Sequence, residues 1–298
     1  MSKITKALEK AARERLKKKP VAPTTTAEPV ELLLAPELGD ALATSSAQID
    51  PHIISATDPS SPIAEQYRIL RTNLQSLKAT GGARTILVTS AIHGEGKTVT
   101  AINLAFTLAQ QERLRVLLLD ADLRQGTVHR WLGLEPARGL STVLADSLAL
   151  DGALVKLQSP PLTILPGGPP SNTPAELLES SHMKRLLAML KTQFDVIVID
   201  APPVLPVADP GILSGMVDGV VLVVRAGKTQ RKVVQQAKSL MRQTKAKLLG
   251  CVLTHVEYYI PGYDRYYRYA DKGRNGSRAQ GLTLAAPAAA PAPEEAAP

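Results

Sequence analysis

Residues 85–110 read TILVTSAIHGEGKTVTAINLAFTLAQ, and this stretch decides the fold. Thr85 to Ser90 have the character of a buried strand, the next eight residues include two glycines, and Val99 to Gln110 have the apolar spacing of a helix. A glycine loop between a strand and a helix directs several backbone N–H groups into one concavity, and the helix N-terminus adds partial positive charge. The stretch therefore predicts a site for the phosphates of a nucleoside triphosphate.

The loop matches the P-loop pattern G-x-x-x-x-G-K-[ST] except at its first position, where Ala91 replaces glycine. Lys97 is expected to reach the outer phosphates, and the Thr98 hydroxyl is expected to bind Mg²⁺. The predicted nucleotide-binding residues are Gly94, Glu95, Gly96, Lys97, Thr98 and Val99.

Position 92 distinguishes two kinds of P-loop ATPase. Partition and division-site ATPases of the deviant-loop type carry a second lysine where this chain has Ile92. The isoleucine argues against a membrane-recruited ATPase that positions cellular machinery, which is kept as the alternative function.

Two later apolar runs end in acids. RVLLLD ends at Asp120 and is followed by Ala and Asp122, while FDVIVID ends at Asp200. Because loops at the carboxyl ends of parallel strands converge on one crevice, these acids are expected to lie beside Lys97. Asp200 fits the acid that holds Mg²⁺ directly or through water. Of Asp120 and Asp122, one can help to hold the metal while the other accepts a proton from an incoming hydroxyl.

Apolar runs at 162–165, 219–224 and 248–253 alternate with helical stretches at 175–191 and 229–244. Such alternation predicts βαβ units, and nearly continuous Val, Ile and Leu is typical of strands buried on both faces. We therefore predict an α/β fold of the P-loop nucleotide-hydrolase type, with a mainly parallel sheet and helices on both faces. The single cysteine, within the last run, is expected to be a buried core thiol.

Composition divides the chain into five segments. Residues 1–19 predict a basic amphipathic arm that lies on an anionic membrane surface, docks on a partner or is simply solvated. Residues 20–60 are a predicted linker rich in Pro, Ala, Ser and Thr, and residues 61–257 are the predicted folded domain. A tyrosine cluster at 258–269 and a disordered tail at 270–298 follow.

The apolar runs and the N-terminal residues bear on where the chain is located. No apolar run approaches the roughly 18 residues that a membrane span needs, and the basic N-terminal residues lack a signal-peptide core. We expect a cytoplasmic chain. The net charge of +8 favours an anionic partner.

Six of the seven tyrosines lie in the stretch YYIPGYDRYYRY, just past the last predicted strand. The segment is expected to be exposed and rich in phenolic hydroxyls. An aromatic interface, or a stacking platform for single-stranded nucleic acid with Arg265 and Arg268, is the alternative interpretation. We expect no nucleic-acid partner. The six residues are Tyr258, Tyr259, Tyr263, Tyr266, Tyr267 and Tyr269.

The loop SAIHGEGKT, the strands ending DADLR and VIVIDAPP, and the tyrosine cluster together resemble the bacterial tyrosine kinases (BY-kinases) of exopolysaccharide synthesis. Glu65, Arg68 and Arg71 in EQYRILR are similar to that family's E-x-x-R-x-x-R oligomerisation motif, with ordinary surface ion pairing as the alternative. The opening MSKITKALEKAA is similar to autokinases of exosortase-linked polysaccharide loci.

The resemblance implies an ATP-dependent, Mg²⁺-requiring protein-tyrosine autokinase that phosphorylates the cluster on a neighbouring subunit and regulates exopolysaccharide polymerisation or export. It implies Lys97, Asp120 and Asp122 as catalytic residues, with Asp120 as the base, and Thr98, Asp122 and Asp200 as metal ligands. Its implied partners are a transmembrane chain-length-determinant adaptor, further copies in a ring-like homo-oligomer and a protein-tyrosine phosphatase. Through the adaptor the chain would lie at the inner face of the plasma membrane.

Overall fold

The computed structural model describes residues 49–79, 83–146, 150–244 and 246–256. The predicted basic arm, most of the predicted linker, the tyrosine cluster and the tail lie outside these residues. The described strands are β1 (Thr85–Ser90), β2 (Val116–Asp120), β3 (Val155–Gln158), β4 (Pro161–Leu165), β5 (Val196–Asp200), β6 (Gly219–Arg225) and β7 (Leu248–Thr254).

These strands form one sheet in the order β3-β4-β2-β5-β1-β6-β7. Every neighbouring pair is parallel except β3 and β4. The prediction of a mainly parallel α/β sheet is confirmed. The antiparallel edge strand β3 was not predicted, because its four residues are too few to show a period.

The described helices are α1 (Ile54–Thr57), α2 (Pro62–Ala79), α3 (Lys97–Ala109), α4 (Val128–Trp131), α5 (Leu140–Asp146), α6 (Pro174–Glu179), α7 (Ser181–Gln193), α8 (Asp209–Ser214) and α9 (Arg231–Gln243). A short 3-10 turn spans Leu150–Gly152. No helix of the described part of the chain combines the length and the apolarity that crossing a membrane requires.

The central strands are buried on both faces, as their continuous apolar sequences predict. Ile86 and Val88 of β1 belong to the core cluster that includes α3, whereas Leu87 between them is also fully buried but projects from the opposite face. Helix α3 packs against β1, β2 and β5, while α7 contacts β5 and α8 contacts β1. Helix α3, which follows the glycine loop, is therefore the central helix of the layer on one face of the sheet.

The folded unit begins earlier than the predicted boundary at residue 61. Ile53 is fully buried in the core cluster. Ser55 of α1 donates its backbone N–H to Asn103 Oδ1 of α3 at 2.8 Å, and its hydroxyl lies 2.9 Å from Thr107 Oγ1. These buried polar side chains attach α1 to α3, and composition alone did not indicate the attachment.

Two further predictions are corrected. The helical stretch at 175–191 is two helices, because the Ser180 side chain accepts the Met183 N–H at 3.1 Å and caps a new helix, α7. Cys251 is exposed and not a core thiol, since it lies on β7 at the edge of the described sheet, where burial is incomplete.

Candidate active site

The strand order brings the predicted acids to one edge of the sheet. Strand β5 lies between β1 and β2, and Asp120 at the end of β2 is the register partner of Asp200 at the end of β5. Asp200 is also the register partner of Val88 in β1, three residues before Ala91, where the loop begins. The glycine loop and both strand-end carboxylates therefore occupy one crevice, as predicted.

Lys97 lies between the acids of the two strands. Its Nζ is 3.1 Å from Asp122 Oδ2 and 3.5 Å from Asp200 Oδ2. Burial lowers the pKa of Lys97, but the negative charges of Asp200 and Asp122 outweigh burial and hold the pKa above its ordinary value. Lys97 therefore carries a positive charge where the first helical turn meets the sheet.

Thr98 and Asp200 form the second part of the site. The Thr98 hydroxyl donates to Asp200 Oδ2 at 2.7 Å, and burial raises the pKa of Asp200. Asp200 Oδ1 is buried and has no hydrogen-bond partner among the described residues. A hydroxyl beside a carboxylate with an unused oxygen suits Mg²⁺, which prefers oxygen ligands and takes few of them from the protein.

Asp122 is a weaker match to its predicted metal role. Its Oδ2 accepts from Lys97 and its Oδ1 accepts the Gln125 N–H at 3.0 Å. Within the described residues no group of three or more His, Cys, Asp or Glu side chains could hold a metal ion. The arrangement fits a cation held by Thr98 and Asp200 together with nucleotide phosphates, with Asp122 positioning Lys97.

Asp120 is held by backbone groups instead of by cations. It is fully buried, and its two carboxylate oxygens accept the N–H groups of Asp122 and Val128, each at 3.1 Å. Burial and the nearby charge of Asp200 raise the pKa of Asp120 to about 7. A carboxylate with a pKa near neutrality can take up a proton during a reaction and release it afterwards.

Gly126 allows the loop after β2 to close over Asp120, and it was not among the predicted residues. A Cβ at position 126 would lie only 2.8 Å from Asp120 Oδ2, so a larger residue would displace the carboxylate. The sequence indicates this role only by the position of Gly126, six residues after the strand-end acid Asp120.

The side chain of Glu95, a predicted nucleotide-binding residue, points away from the crevice into contacts with the rest of the fold. The carboxylate is buried, accepts the Ile92 N–H at 2.8 Å and accepts the Thr229 hydroxyl at 2.6 Å. The Glu95 carbonyl accepts the Thr254 hydroxyl at 2.9 Å. Glu95 therefore joins the loop to Thr229, which follows β6, and to Thr254 at the end of β7. Only its backbone N–H is available for the predicted nucleotide contact.

The predicted oligomerisation residues make contacts within the subunit. Arg68 Nη1 lies 2.6 Å from Glu65 Oε2, which is the ordinary i, i+3 ion pair. Arg71 Nη1 donates to the Thr107 carbonyl of α3 at 2.9 Å. Arg71 therefore helps to hold α2 on α3, and contact between copies stays a prediction.

The geometry defines the class of protein. A strand, a glycine loop and a buried helix place a lysine and a hydroxyl beside strand-end carboxylates, as in a P-loop nucleotide-binding α/β protein. Residues 83–248 match the family model described as an AAA domain.

Relatives refine this class. The chain is 40% identical over 213 residues to the tyrosine-protein kinase YwqD of Bacillus subtilis, covering 70% of this chain and 90% of the relative. It is 33% identical to the tyrosine-protein kinase CpsD of Streptococcus agalactiae, covering 70% and 91%. The solved kinase domain of the Escherichia coli tyrosine kinase ETK matches with a TM-score of 0.65 at 28% identity, covering 67% and 78%. The chain belongs to the bacterial tyrosine kinase family.

Proposed function

We propose that this kinase transfers the γ-phosphate of ATP to its own C-terminal tyrosine cluster, between subunits, and thereby regulates exopolysaccharide polymerisation or export. The observation that carries the proposal is the convergence of Lys97, Thr98, Asp120 and Asp200 on one crevice in a chain of this family. The six tyrosines begin four residues after β7.

Phosphoryl transfer depends on positioning and charge neutralisation more than on covalent help from the protein. The backbone N–H groups of the loop and the Lys97 ammonium would bind the β- and γ-phosphates. The tyrosine oxygen forms a bond to the γ-phosphorus as the bond from that phosphorus to the β–γ bridging oxygen breaks, and ADP leaves. The phenolic proton passes to the Asp120 carboxylate.

Mg²⁺ would neutralise phosphate charge when bound with ATP. The residues that would hold it are Thr98 and Asp200, because Asp200 Oδ1 is buried and unused within the described residues. Asp122 would contribute through Lys97, whose ammonium it contacts at 3.1 Å.

Tyr67, which is the one tyrosine in the described part of the chain, is poorly suited as the acceptor. It lies in α2 beside Thr100 and Asn103, and burial raises the pKa of its hydroxyl. Raising a phenol's pKa makes ionisation harder, and the partly buried ring of Tyr67 is less accessible to a neighbouring active site than an exposed tyrosine would be. The tail tyrosines are therefore the preferred acceptors in this proposal.

Labelling with Mg-ATP followed by peptide mass spectrometry tests the proposal. Replacing the six tail tyrosines by Phe should remove nearly all self-labelling, because no acceptor would remain, while ATP binding should persist. Tyr67→Phe is the matched control and should label like the wild type. Phosphate found mainly on Tyr67 or on Ser and Thr would overturn the proposal.

Transfer between subunits requires an assembly, and we propose the outer face of α2 as the contact of a ring. Ile63 and Ile69 are 52% and 45% exposed on this helix, next to the ion pair of Glu65 and Arg68. Apolar side chains beside a charged pair suit a contact with a different patch on the next copy.

Arg68→Glu with Ile69→Asp should give monomers whose labelling rate per molecule rises with protein concentration. Arg71 is left unchanged because it donates to Thr107 within the subunit. Arg185→Glu, an exposed position on α7, is the control. Light scattering of the dephosphorylated proteins measures size, and an unchanged assembly in the double variant would exclude this contact.

The remaining partners are also part of the proposal. Recruitment by a transmembrane chain-length-determinant adaptor would bring the kinase to the inner face of the plasma membrane. A protein-tyrosine phosphatase would remove the phosphates from the tail tyrosines. Each phosphate adds about −1.5 to −2 charges, so repeated loading should loosen a ring whose junctions contain the tails. Co-purification with and without ATP pretreatment measures this effect.

A further inference from the structure

A cavity of about 520 Å³ lies beside the loop that follows β2. Its walls include three basic side chains and three prolines, and no residue that lines it carries a carboxylate. These six residues are Arg124, His129, Arg130, Pro136, Pro169 and Pro170. The composition suits a ligand that has both an anionic group and a flat apolar part.

The basic groups retain unused hydrogen-bonding capacity. Arg124 uses Nε and Nη2 to bind the buried Asp209 carboxylate at 2.8 and 3.0 Å, which orients the guanidinium and leaves Nη1 without a partner among the described residues. Arg130 is exposed and makes no ion pair within the described part of the chain. The Nδ1 atom of His129 is buried and has no hydrogen-bond partner there.

The cavity shares a wall with the crevice that holds Asp120 and Asp122. The Gln125 N–H binds Asp122 Oδ1 at 3.0 Å and the Val128 N–H binds Asp120 Oδ2 at 3.1 Å, so the loop that lines the cavity also holds both carboxylates. Gly126 lies in the same wall, close to Asp120. A ligand in the cavity would be a neighbour of a tyrosine that reacts at Asp120.

We propose that this cavity binds a phosphotyrosine side chain of the C-terminal segment of a second copy, holding the next tyrosine of that segment at Asp120. The guanidinium groups bind the phosphate dianion through charge-assisted hydrogen bonds, and the proline rings pack on the phenyl ring. The inference rests on the proposed function, which supplies the phosphotyrosine.

Spacing within the segment suits this use. Tyr263 and Tyr266 are three residues apart, and three extended residues span at most about 10 Å. One segment can therefore reach from the cavity to the adjoining acid. A first phosphate would then favour later ones on the same segment.

The test uses the full chain with the six tail tyrosines replaced by Phe, so that its own tail does not compete. Fluorescence anisotropy compares a peptide of residues 257–272 phosphorylated on Tyr266 with the unmodified peptide and with a Tyr266→Glu peptide. The phosphopeptide should bind at least about tenfold more tightly than either, because a charge-assisted bond to phosphate is lost in both. Equal binding of the phosphorylated and Glu peptides would overturn the inference in favour of a general acidic-peptide site.

Substitutions test whether the phosphopeptide binds in this cavity. Arg130→Gln should weaken phosphopeptide binding about tenfold, and Arg185→Gln, the matched control on α7, should leave it unchanged. Inorganic phosphate should compete weakly, because it lacks the ring. Phosphopeptide affinity unaffected by Arg130→Gln, or phosphate competing as well as the phosphopeptide, would exclude this site.

The assay contains no ATP, so its failure is distinguishable from failure of the proposed function. If mass spectrometry finds phosphorylated tail tyrosines but the phosphopeptide shows no preference, the inference alone is wrong. If no tail phosphotyrosine forms, the proposed function is wrong.

Discussion

The ends of β2 and β5 present the same residue type in the same register, yet they differ in chemistry. Asp120 and Asp200 are register partners and both are fully buried. Asp120 is held by two backbone N–H groups, whereas Asp200 is held by the side chains of Lys97 and Thr98. The comparison teaches that hydrogen-bonding partners, and not burial alone, distinguish the two carboxylates, and on this difference we propose Asp120 as the proton acceptor and Asp200 as the cation ligand.

Lys97 joins the two regions, and its loss should have the largest effect. Lys97→Met should reduce self-labelling by about 10³-fold or more, because phosphate charge is no longer neutralised at the reacting group. The variant should also be less stable than the wild type at neutral pH, since Asp122 and Asp200 lose their common cation. Quantitative labelling and urea unfolding measure both effects, and labelling within tenfold of the wild type would contradict the role of Lys97.

Replacing each carboxylate by an amide should distinguish the roles of Asp120 and Asp200. Asp120→Asn should keep nucleotide affinity but lose about 10²- to 10⁴-fold in transfer rate, because an amide does not accept the proton. Asp200→Asn should instead weaken the Mg²⁺-dependent part of ATP binding. A fluorescent ATP analogue titrated with and without Mg²⁺, combined with single-turnover labelling, distinguishes them. Identical behaviour of the two variants would remove the division of roles.

The pH should affect both the reaction rate and the stability through the ionisation of Asp120 at the end of β2. Because the base must be ionised, kcat/KM should rise with pH and level off above about pH 7, and Asp120→Asn should flatten this rise. The folded pKa is raised from 3.8, so the stability contributed by protonated Asp120 is present below about pH 4 and is lost as pH rises through about 7. Urea unfolding from pH 4 to 8 measures the second effect. A pH-independent rate in the wild type would speak against Asp120 as the base.

The smallest effect is expected from a substitution within the glycine loop between β1 and α3. Glu95→Gln should raise the KM for ATP about three- to tenfold with little change in kcat, because an amide cannot accept from both Ile92 and Thr229 as a carboxylate does. Glu112→Gln, at an exposed position after α3, is the control. A lower kcat at unchanged KM would show that Glu95 acts on the reacting groups and not on loop position.

Local signals in the sequence were sufficient for the elements of the site. The glycine loop between a strand and a helix, and the acids that end RVLLLD and FDVIVID, each follow from a few adjacent residues. The direction of the Glu95 side chain was not predictable, because its partner Thr229 is 134 residues away along the chain. The contact of Arg71 within the subunit was not predictable for the same reason, since the Thr107 carbonyl that it binds is 36 residues away.

The sequence by itself determined the β1–loop–α3 unit and the presence of acids at two strand ends, because hydrophobic periodicity and loop chemistry are local properties. Only the tertiary structure decided that β5 lies between β1 and β2, which makes Asp120 and Asp200 register partners beside Lys97. Strand order depends on how crossover helices bury their apolar faces, and that balance involves the whole sheet. The closing of the β2 loop over Asp120, with the basic cavity on its other side, follows from the same packing.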